Sequence, residues 1–338
     1  MENVPSLACP KNMVYGPCGG VHPDGTCEVA SLPCPFAKGN LAAWRESPTK
    51  TQTITPAGKI FLETMECRPV IVTDLPTLPL SADSIRASAD VLVGHADAVL
   101  LGDYGEARVQ FPPAYRAMLV HQAGLATWLG LTCRDRNRVA LEGELSALAH
   151  ANVAGVHCIT GDHTASGHRP DAKPVFDLDS TQLAALARAT GVLVSVAESP
   201  VVIPISQRPY RLSQKIKAGA NLCFINHSGE PETYARFMGE VQALGTDVPF
   251  IAGLAVVTNE GSAKAIRGFH NFVVPNGYLE NILASPDPRK AGIRAAIKFG
   301  EALLSQPGVR GLNLSSVPEP GRERELTHDL AEIARAFL

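Results

Sequence analysis

The sequence lacks the features that carry a protein into a membrane or onto a nucleic acid. No apolar run is long enough to span a bilayer, and the first residues have neither the basic start nor the apolar stretch of a secretory signal. Lysine and arginine total 30 against 33 aspartates and glutamates, and no basic block or aromatic-interleaved stripe breaks that balance. These absences predict a cytoplasmic protein with no membrane and no nucleic acid among its partners.

Two familiar motifs are also missing. No Gly-x-Gly-x-x-Gly follows any apolar run, which disfavours an open dinucleotide-binding sheet, and no C-x-x-C pair marks a common zinc module. What is present is a chain of 338 residues that is 45% hydrophobic and 19% charged, enough to bury a large core. A β/α barrel often takes this length as one domain.

Eight apolar, β-rich runs alternate with helical patterns, in which Leu141, Leu145 and Leu148 mark one helix face. Strand then helix, repeated along the chain, predicts a closed eight-stranded β/α (TIM) barrel over residues 59–338. A cysteine-rich segment over 1–45 and a polar linker or wrapping arm over 46–58 precede it. The predicted strands are 60–66, 97–102, 126–133, 155–161, 192–197, 221–226, 249–256 and 308–314.

Four of the eight cysteines fall in the first segment: Cys9, Cys18, Cys27 and Cys34. The Gly- and Pro-rich turns between them let four thiolates meet around one metal ion, as in a closed zinc site or an iron–sulfur cluster. Stable disulfides are rare in the cytosol. We favour a metal over four unconnected thiols, because so small a segment lacks a core of its own. His22 is an alternative ligand in place of one cysteine.

Chemistry in a β/α barrel takes place at the carboxyl ends of the strands, and polar residues stand at several predicted ends. Glu66 follows the first apolar run, where partial burial would raise its pKa and suit a general acid; a salt bridge to a neighbouring arginine is the alternative. Asp162 could contact a polar ring or only close its loop, and Asn226 could hydrogen-bond a heterocycle or cap a helix. His163 and His227 are candidate proton carriers or ordinary loop histidines.

Several longer stretches carry a family resemblance. In the barrel they are Leu131-Thr132-Cys133-Arg134-Asp135-Arg136-Asn137-Arg138, Thr160-Gly161-Asp162, Ala172-Lys173-Pro174-Val175-Phe176-Asp177-Leu178-Asp179-Ser180, Ser195-Val196-Ala197 and Lys215-Ile216-Lys217-Ala218-Gly219-Ala220-Asn221. Taken together and in this order, these stretches resemble the methylenetetrahydrofolate reductase family. The resemblance covers the barrel from about residue 60 to 315. The cysteine segment, with Gly16-Pro17-Cys18-Gly19-Gly20 and Gly25-Thr26-Cys27-Glu28, looks like a module associated with this family in some bacteria.

The resemblance implies a barrel that carries FAD and moves a hydride between reduced flavin and the methylene carbon of a tetrahydrofolate derivative. Electrons would come from NAD(P)H or a protein electron carrier, and self-association is left open. By resemblance Glu66 is the acid that assists protonation, and Asp162 lies near flavin and pterin. Asn226 joins these two as a substrate contact. The implied flavin contacts are Thr132, Thr160, Gly161, Asp162, His163, Phe176 and Asp177, with Lys215 at the FAD phosphates.

The sequence departs from the family at several strand ends. Asn226 stands where the family has a pterin-contacting glutamine, Gly130 where it has a histidine, and Gln214-Lys215 where it has two basic residues. A second function therefore stays open: a non-redox folate-binding or methyl-handling protein whose cysteine segment docks a partner. An iron–sulfur relay in that segment, passing electrons from a partner, is a third.

Overall fold

The computed structural model describes residues 9–39, 41–46, 53–102, 107–269 and 271–338. Within them eight parallel strands close into a barrel in chain order, which confirms the predicted fold. The strands are β1 Val70–Asp74, β2 Ala98–Leu101, β3 Thr127–Thr132, β4 Gly155–Ile159, β5 Leu193–Glu198, β6 Leu222–Ile225, β7 Phe250–Ala255 and β8 Val309–Ser315. The helices are α1 Pro56–Cys67, α2 Ala82–Leu92, α3 Pro113–His121, α4 Arg138–His150, α5 Ser180–Ala189, α6 Arg208–Ala218, α7 Pro231–Ala243, α8 Glu260–Gly268, α9 Tyr278–Leu283, α10 Pro288–Leu304 and α11 Glu323–Arg335.

The first predicted strand was wrong, because residues 60–66 belong to helix α1. Thr55 caps this helix by accepting a hydrogen bond from the backbone of Gly58, and proline stands in its first turn. Phe61 and Met65, four residues apart, bury one face of the helix against the amino end of the barrel. The true first strand is the short run Val70–Asp74, which pairs with β2 and β8. The other seven predicted strands are confirmed with small shifts of their ends.

Side chains alternate between two cores along each strand. Inward-facing residues such as Val70, Val72 and Trp128 fill the interior of the barrel towards its amino end, while outward-facing residues pack against the helices. A Cβ on Gly155 would come within 2.4 Å of the Trp128 ring, so glycine makes room for the indole inside the barrel. Within the described ranges, no helix is both long and apolar enough to cross a bilayer.

The cysteine segment lies across the carboxyl ends of the strands, the mouth of the barrel. The side-chain amide of Asn12 donates to the carbonyl of Phe176 at 3.2 Å, and Asp179 accepts from the backbone of Val14 and Tyr15 at 3.2 and 3.0 Å. At the opposite end of the barrel, the hydroxyl of Thr55 donates to the carbonyl of Val153, just before β4, at 3.0 Å. The chain thus passes from the mouth to the amino end before the barrel begins. The predicted arm 46–58 lies partly outside the described residues.

Candidate functional site

Asp74 is the last residue of strand β1 and therefore lies at the barrel mouth. Strand β8 pairs with β1 in a register that sets Asn313 opposite Val72, and the amide of Asn313 and the backbone N–H of Ser316 both hydrogen-bond the Asp74 carboxylate. Burial raises the pKa of Asp74 to about 7, because loss of hydration outweighs these two hydrogen bonds, which favour the charged form. Near neutral pH the side chain can therefore give or accept a proton.

Two polar atoms beside Asp74 are buried without a hydrogen-bond partner in the described part of the chain. They are the side-chain oxygens of Asn313 and Ser316. Buried polar groups are nearly always satisfied in folded proteins, and exceptions often mark a missing ligand or water. Asn313 already donates to Asp74, so its free oxygen can accept from a ligand bound against the carboxyl group. Together the three residues form a cluster of polar groups where β1 and β8 end.

His227 lies at the end of β6 and borders the same mouth. One ring nitrogen, Nε2, is 2.8 Å from the hydroxyl of Ser315 on β8, and the ring packs edge-on against Phe272. Burial lowers the pKa of His227 to about 4, so the ring is neutral at physiological pH. The neutral ring acts as a fixed hydrogen-bonding group, which counts against its interpretation as a proton carrier at neutral pH.

Glu66 is not at the mouth. It lies exposed on α1, the helix that packs at the amino end of the barrel. The prediction placed it at the end of the first strand because its apolar run was taken for that strand. Asp74 occupies the position at the end of the first strand that was assigned to Glu66, and the sequence analysis missed it.

The loop after β4 carries Asp162 and His163 at the mouth, as predicted. The Asp162 carboxylate is 66% exposed and lies 3.5 Å from the guanidinium of Arg108. His163 stacks on the buried ring of Phe176, and burial together with nearby Lys11 lowers its pKa. Asn226 accepts from the backbone N–H that follows it, at 3.0 Å, and so forms a local turn.

The remaining predicted flavin contacts also lie at this end, in structural roles. The Thr160 hydroxyl accepts from the backbone of α5 at 3.2 Å, and Asp177 accepts from the first residue of α4 at 2.8 Å. Thr132 lies 3.4 Å from the carboxylate of Asp135. Gly161 has a φ of 90°, and a Cβ there would come within 2.9 Å of the Thr132 side chain, so the position requires glycine.

Lys215 belongs to a buried ion cluster instead of an open phosphate site. Its ammonium lies 3.1 Å from Glu198, which also binds Arg208 at 3.1 Å and Arg211 at 2.8 Å. All four side chains are at least nine-tenths buried. Burial would raise the pKa of Glu198, but the three cations hold it far below its usual range. Burial and repulsion from Arg211 lower the pKa of Lys215 to about 8.

The four cysteines of the first segment line one cavity of about 20 Å³, room for a single water-sized particle or ion. Lys11 and Glu28 line the same cavity and form a buried ion pair. Burial raises the pKa of the Cys34 thiol, and the other three sulfurs add to that effect. None of the four forms a disulfide. Among the described residues no three potential ligands already stand at metal-binding distance, but four converging thiols in one small cavity suit Zn(II).

Comparison with known proteins agrees with this barrel. A family model described as "Methylenetetrahydrofolate reductase" matches residues 105–328. A second, described as "Methylene-tetrahydrofolate reductase C terminal", matches residues 3–56, which here precede the barrel. A 5,10-methylenetetrahydrofolate reductase from Pectobacterium carotovorum subsp. carotovorum is 25% identical over 218 residues, which cover 62% of this chain and 71% of that protein.

Solved structures share the fold at low identity. An uncharacterized protein from Clostridium thermocellum, which binds two copies of 5-methyl-5,6,7,8-tetrahydrofolic acid, superposes with a TM-score of 0.55 at 14% identity. The match covers 81% of this chain and 98% of that one, and it shows a shared barrel only. The family model over the barrel spans more than half of the chain, so this chain belongs to the methylenetetrahydrofolate reductase family and is an enzyme of that type.

Proposed function

We propose that the chain interconverts 5,10-methylenetetrahydrofolate and 5-methyltetrahydrofolate by hydride transfer, with FAD as the hydride carrier and Asp74 as the proton donor. Electrons would reach the flavin from NAD(P)H or a protein carrier. The observation that carries the proposal is Asp74, with its pKa of about 7 and two unpartnered oxygens beside it. Membership of the family supports the substrate class and the flavin.

The protein's part in this reaction is to manage one proton. Opening the methylene bridge breaks one carbon–nitrogen bond, and the freed nitrogen takes a proton from the acid form of Asp74. The resulting iminium carbon accepts a hydride and becomes the methyl group, while the hydride donor is oxidised. In the reverse direction the Asp74 carboxylate takes the proton back. Asn313 and Ser316 hold the carboxyl group in place and offer free acceptors to the N–H groups of a pterin.

The residues expected to hold FAD fit only its ring end. Asp162 is exposed beside the mouth, where it could meet a flavin ring. Lys215, expected at the phosphates, is buried against Glu198. When bound, flavin supplies the hydride; the residues at hand do not form a phosphate site for it.

The test is a pair of measurements on the full chain. Reduced flavin should be oxidised on addition of methylenetetrahydrofolate, and 5-methyltetrahydrofolate should bind in a titration without flavin. Folate binding with no oxidation of any reduced flavin would instead favour the second candidate, a non-redox folate-binding or methyl-handling protein. The buried Glu198 cluster is the observation that keeps this second candidate in view.

We further propose that Zn(II) occupies the cysteine cavity in a structural role, bound by Cys9, Cys18, Cys27 and Cys34. Four thiolates around Zn(II) leave a net double negative charge in a buried place, and the Lys11 ammonium on the cavity wall offsets part of it. A cytoplasmic location, where thiols stay reduced, is consistent with this site. Iron in the purified protein would indicate the iron–sulfur alternative.

The two charges of the buried pair predict opposite effects on metal affinity. Lys11→Met removes the cation and should weaken zinc binding by at least about tenfold, whereas Glu28→Gln removes the anion and should tighten it. The affinities follow from competition between the protein and a chelator, with Co(II) absorption as a second readout. The double variant Lys11→Met/Glu28→Gln separates charge from folding, because it leaves no unpaired buried charge and should fall between the single variants. Weakening by both single variants would mean that the pair matters only for folding.

A further inference from the structure

We infer that the phosphate half of the family's FAD site is filled in this barrel by its own N-terminal segment and ion cluster. The flavin is then taken by its ring alone, as a dissociable reactant. The inference rests on the proposed hydride transfer for its choice of ligand. It goes beyond that proposal, because it holds that the chain does not bind FAD tightly.

The first reason is that the cations where FAD phosphates are expected are buried and already paired with Glu198. The ammonium of Lys215 donates to Glu198 and to the carbonyl of Ala197. Arg208 donates to Glu198 and to three backbone carbonyls, one of which is that of Cys18. A diphosphate is bound by charge-assisted hydrogen bonds from accessible cations and backbone N–H groups. Here the cations are buried, and they donate to Glu198 and to backbone carbonyls of the protein.

The second reason is that the cysteine segment covers these residues. Trp44 donates its backbone N–H to the side chain of Gln214 at 2.8 Å, beside Lys215 on the same helix. Gly16 lies so close to Arg211 that a Cβ there would come within 3.2 Å of it. Met13 and Tyr15, which belong to the segment, are themselves almost completely buried. The diphosphate and adenosine of FAD could bind here only by displacing packed protein.

The third reason is the contact between the segment and the loop that leads to α5. Asp179 caps α5 with one carboxylate oxygen and accepts two backbone N–H groups of the segment with the other. Asn271, from the far side of the mouth, donates to the carbonyl of Gly19 at 3.0 Å. The segment is therefore hydrogen-bonded to both sides of the mouth.

The ring end of the expected site stays open. Asp162 is exposed, and beyond it Ala165 and Ser166 form one wall of a cleft of about 630 Å³ whose other wall includes His22 and Thr26. Ligand clefts commonly have volumes of about 300–1,000 Å³, so a flat tricyclic ring has room at this side of the mouth.

The experiment compares FAD, FMN and riboflavin, which share the ring and differ in phosphate and adenosine. The full-length protein should purify without stoichiometric flavin, and the three dissociation constants, from quenching of flavin fluorescence, should agree within about fivefold. A site that binds the phosphates would have an affinity for FAD about a hundredfold or more above that for riboflavin, because each charge-assisted hydrogen bond adds strongly to the binding free energy.

Lys215→Met supplies the matched variant, because methionine fills the same space and leaves Glu198 two cations. The ratio of FAD to riboflavin affinity should not change in this variant, and folate binding reports whether it is folded. Retained FAD in the wild type, or a selective loss of FAD affinity in Lys215→Met, would overturn the inference. Binding of folate with no flavin of any kind would overturn its ring half and the hydride proposal together. Tight FAD binding with folate-dependent oxidation would overturn the inference alone.

Discussion

Asp74→Asn lowers folate turnover by about 10²–10⁴-fold and leaves the affinity for 5-methyltetrahydrofolate close to that of the wild type. Asparagine keeps the size of the side chain and one acceptor oxygen for the hydrogen bonds from Asn313 and Ser316, but it has no acidic proton to give. The measurement is a single-turnover assay with reduced flavin and methylenetetrahydrofolate, together with a folate titration. A loss of binding as large as the loss of rate would make Asp74 a binding residue instead of the acid.

Glu66→Gln is the matched control. Glu66 is an exposed carboxylate on α1, at the opposite end of the barrel from the mouth, so its substitution should leave turnover within about twofold of the wild type and stability within about 0.5 kcal/mol. A large loss of turnover in Glu66→Gln with a mild effect in Asp74→Asn would reverse the assignment of the acid.

The same residue sets the pH dependence. Because the pKa of Asp74 is raised to about 7, its acid form is present below that pH and disappears as the pH rises through it. Reduction of the methylene group should therefore slow above neutral pH in the wild type and become nearly pH-independent in Asp74→Asn. The native state holds this proton to a higher pH than the unfolded chain, so the stabilising contribution of Asp74 is lost as the pH rises. Asp74→Asn should gain stability relative to the wild type above neutral pH.

The barrel was predictable because its strands are buried on both sides and read as continuous apolar runs. The first predicted strand shows where this pattern fails. Residues 60–66 are as apolar as a strand, and only the buried pair Phe61 and Met65 shows helical spacing. The real strand β1 has five residues and directly follows Arg68-Pro69. An error in one short element moved the predicted acid to the wrong end of the molecule.

The site was less predictable than the fold, because its properties depend on contacts between distant parts of the chain. Asp74 owes its raised pKa to burial and meets Asn313 only because β8 closes the barrel against β1. Lys215 was found by its motif, but the direction of its ammonium is set by Glu198 and by the cover of the cysteine segment. The four cysteines line one cavity, and the metal expected there stays a prediction, whereas the buried pair Lys11–Glu28 gave no signal in the spacing.

Glu198→Gln lowers the free energy of unfolding by about 3–5 kcal/mol, the usual cost of leaving buried charge without its partner. Glu198 is the single anion among Arg208, Arg211 and Lys215, and all four side chains are buried. Glutamine keeps the shape but leaves three cations to repel one another at low dielectric. Urea unfolding at neutral pH measures the loss. Glu240→Gln, in an exposed pair with Arg236 on α7, is the control and should change stability by less than about 1 kcal/mol.

Arg211→Met tests whether the surplus of cations, and not the mere presence of ion pairs, explains the effect. It leaves Glu198 paired with two cations and removes the repulsion that lowers the pKa of Lys215, so it should cost clearly less than Glu198→Gln. Because the pKa of Glu198 is depressed, its stabilising contribution is present above the carboxyl range of the unfolded chain and is lost only in strong acid. The gap between wild type and Glu198→Gln should also narrow above pH 8, where Lys215 can release its proton. Equal losses in Glu198→Gln and Arg211→Met, or a gap that widens as the pH rises, would contradict a cluster dominated by one anion.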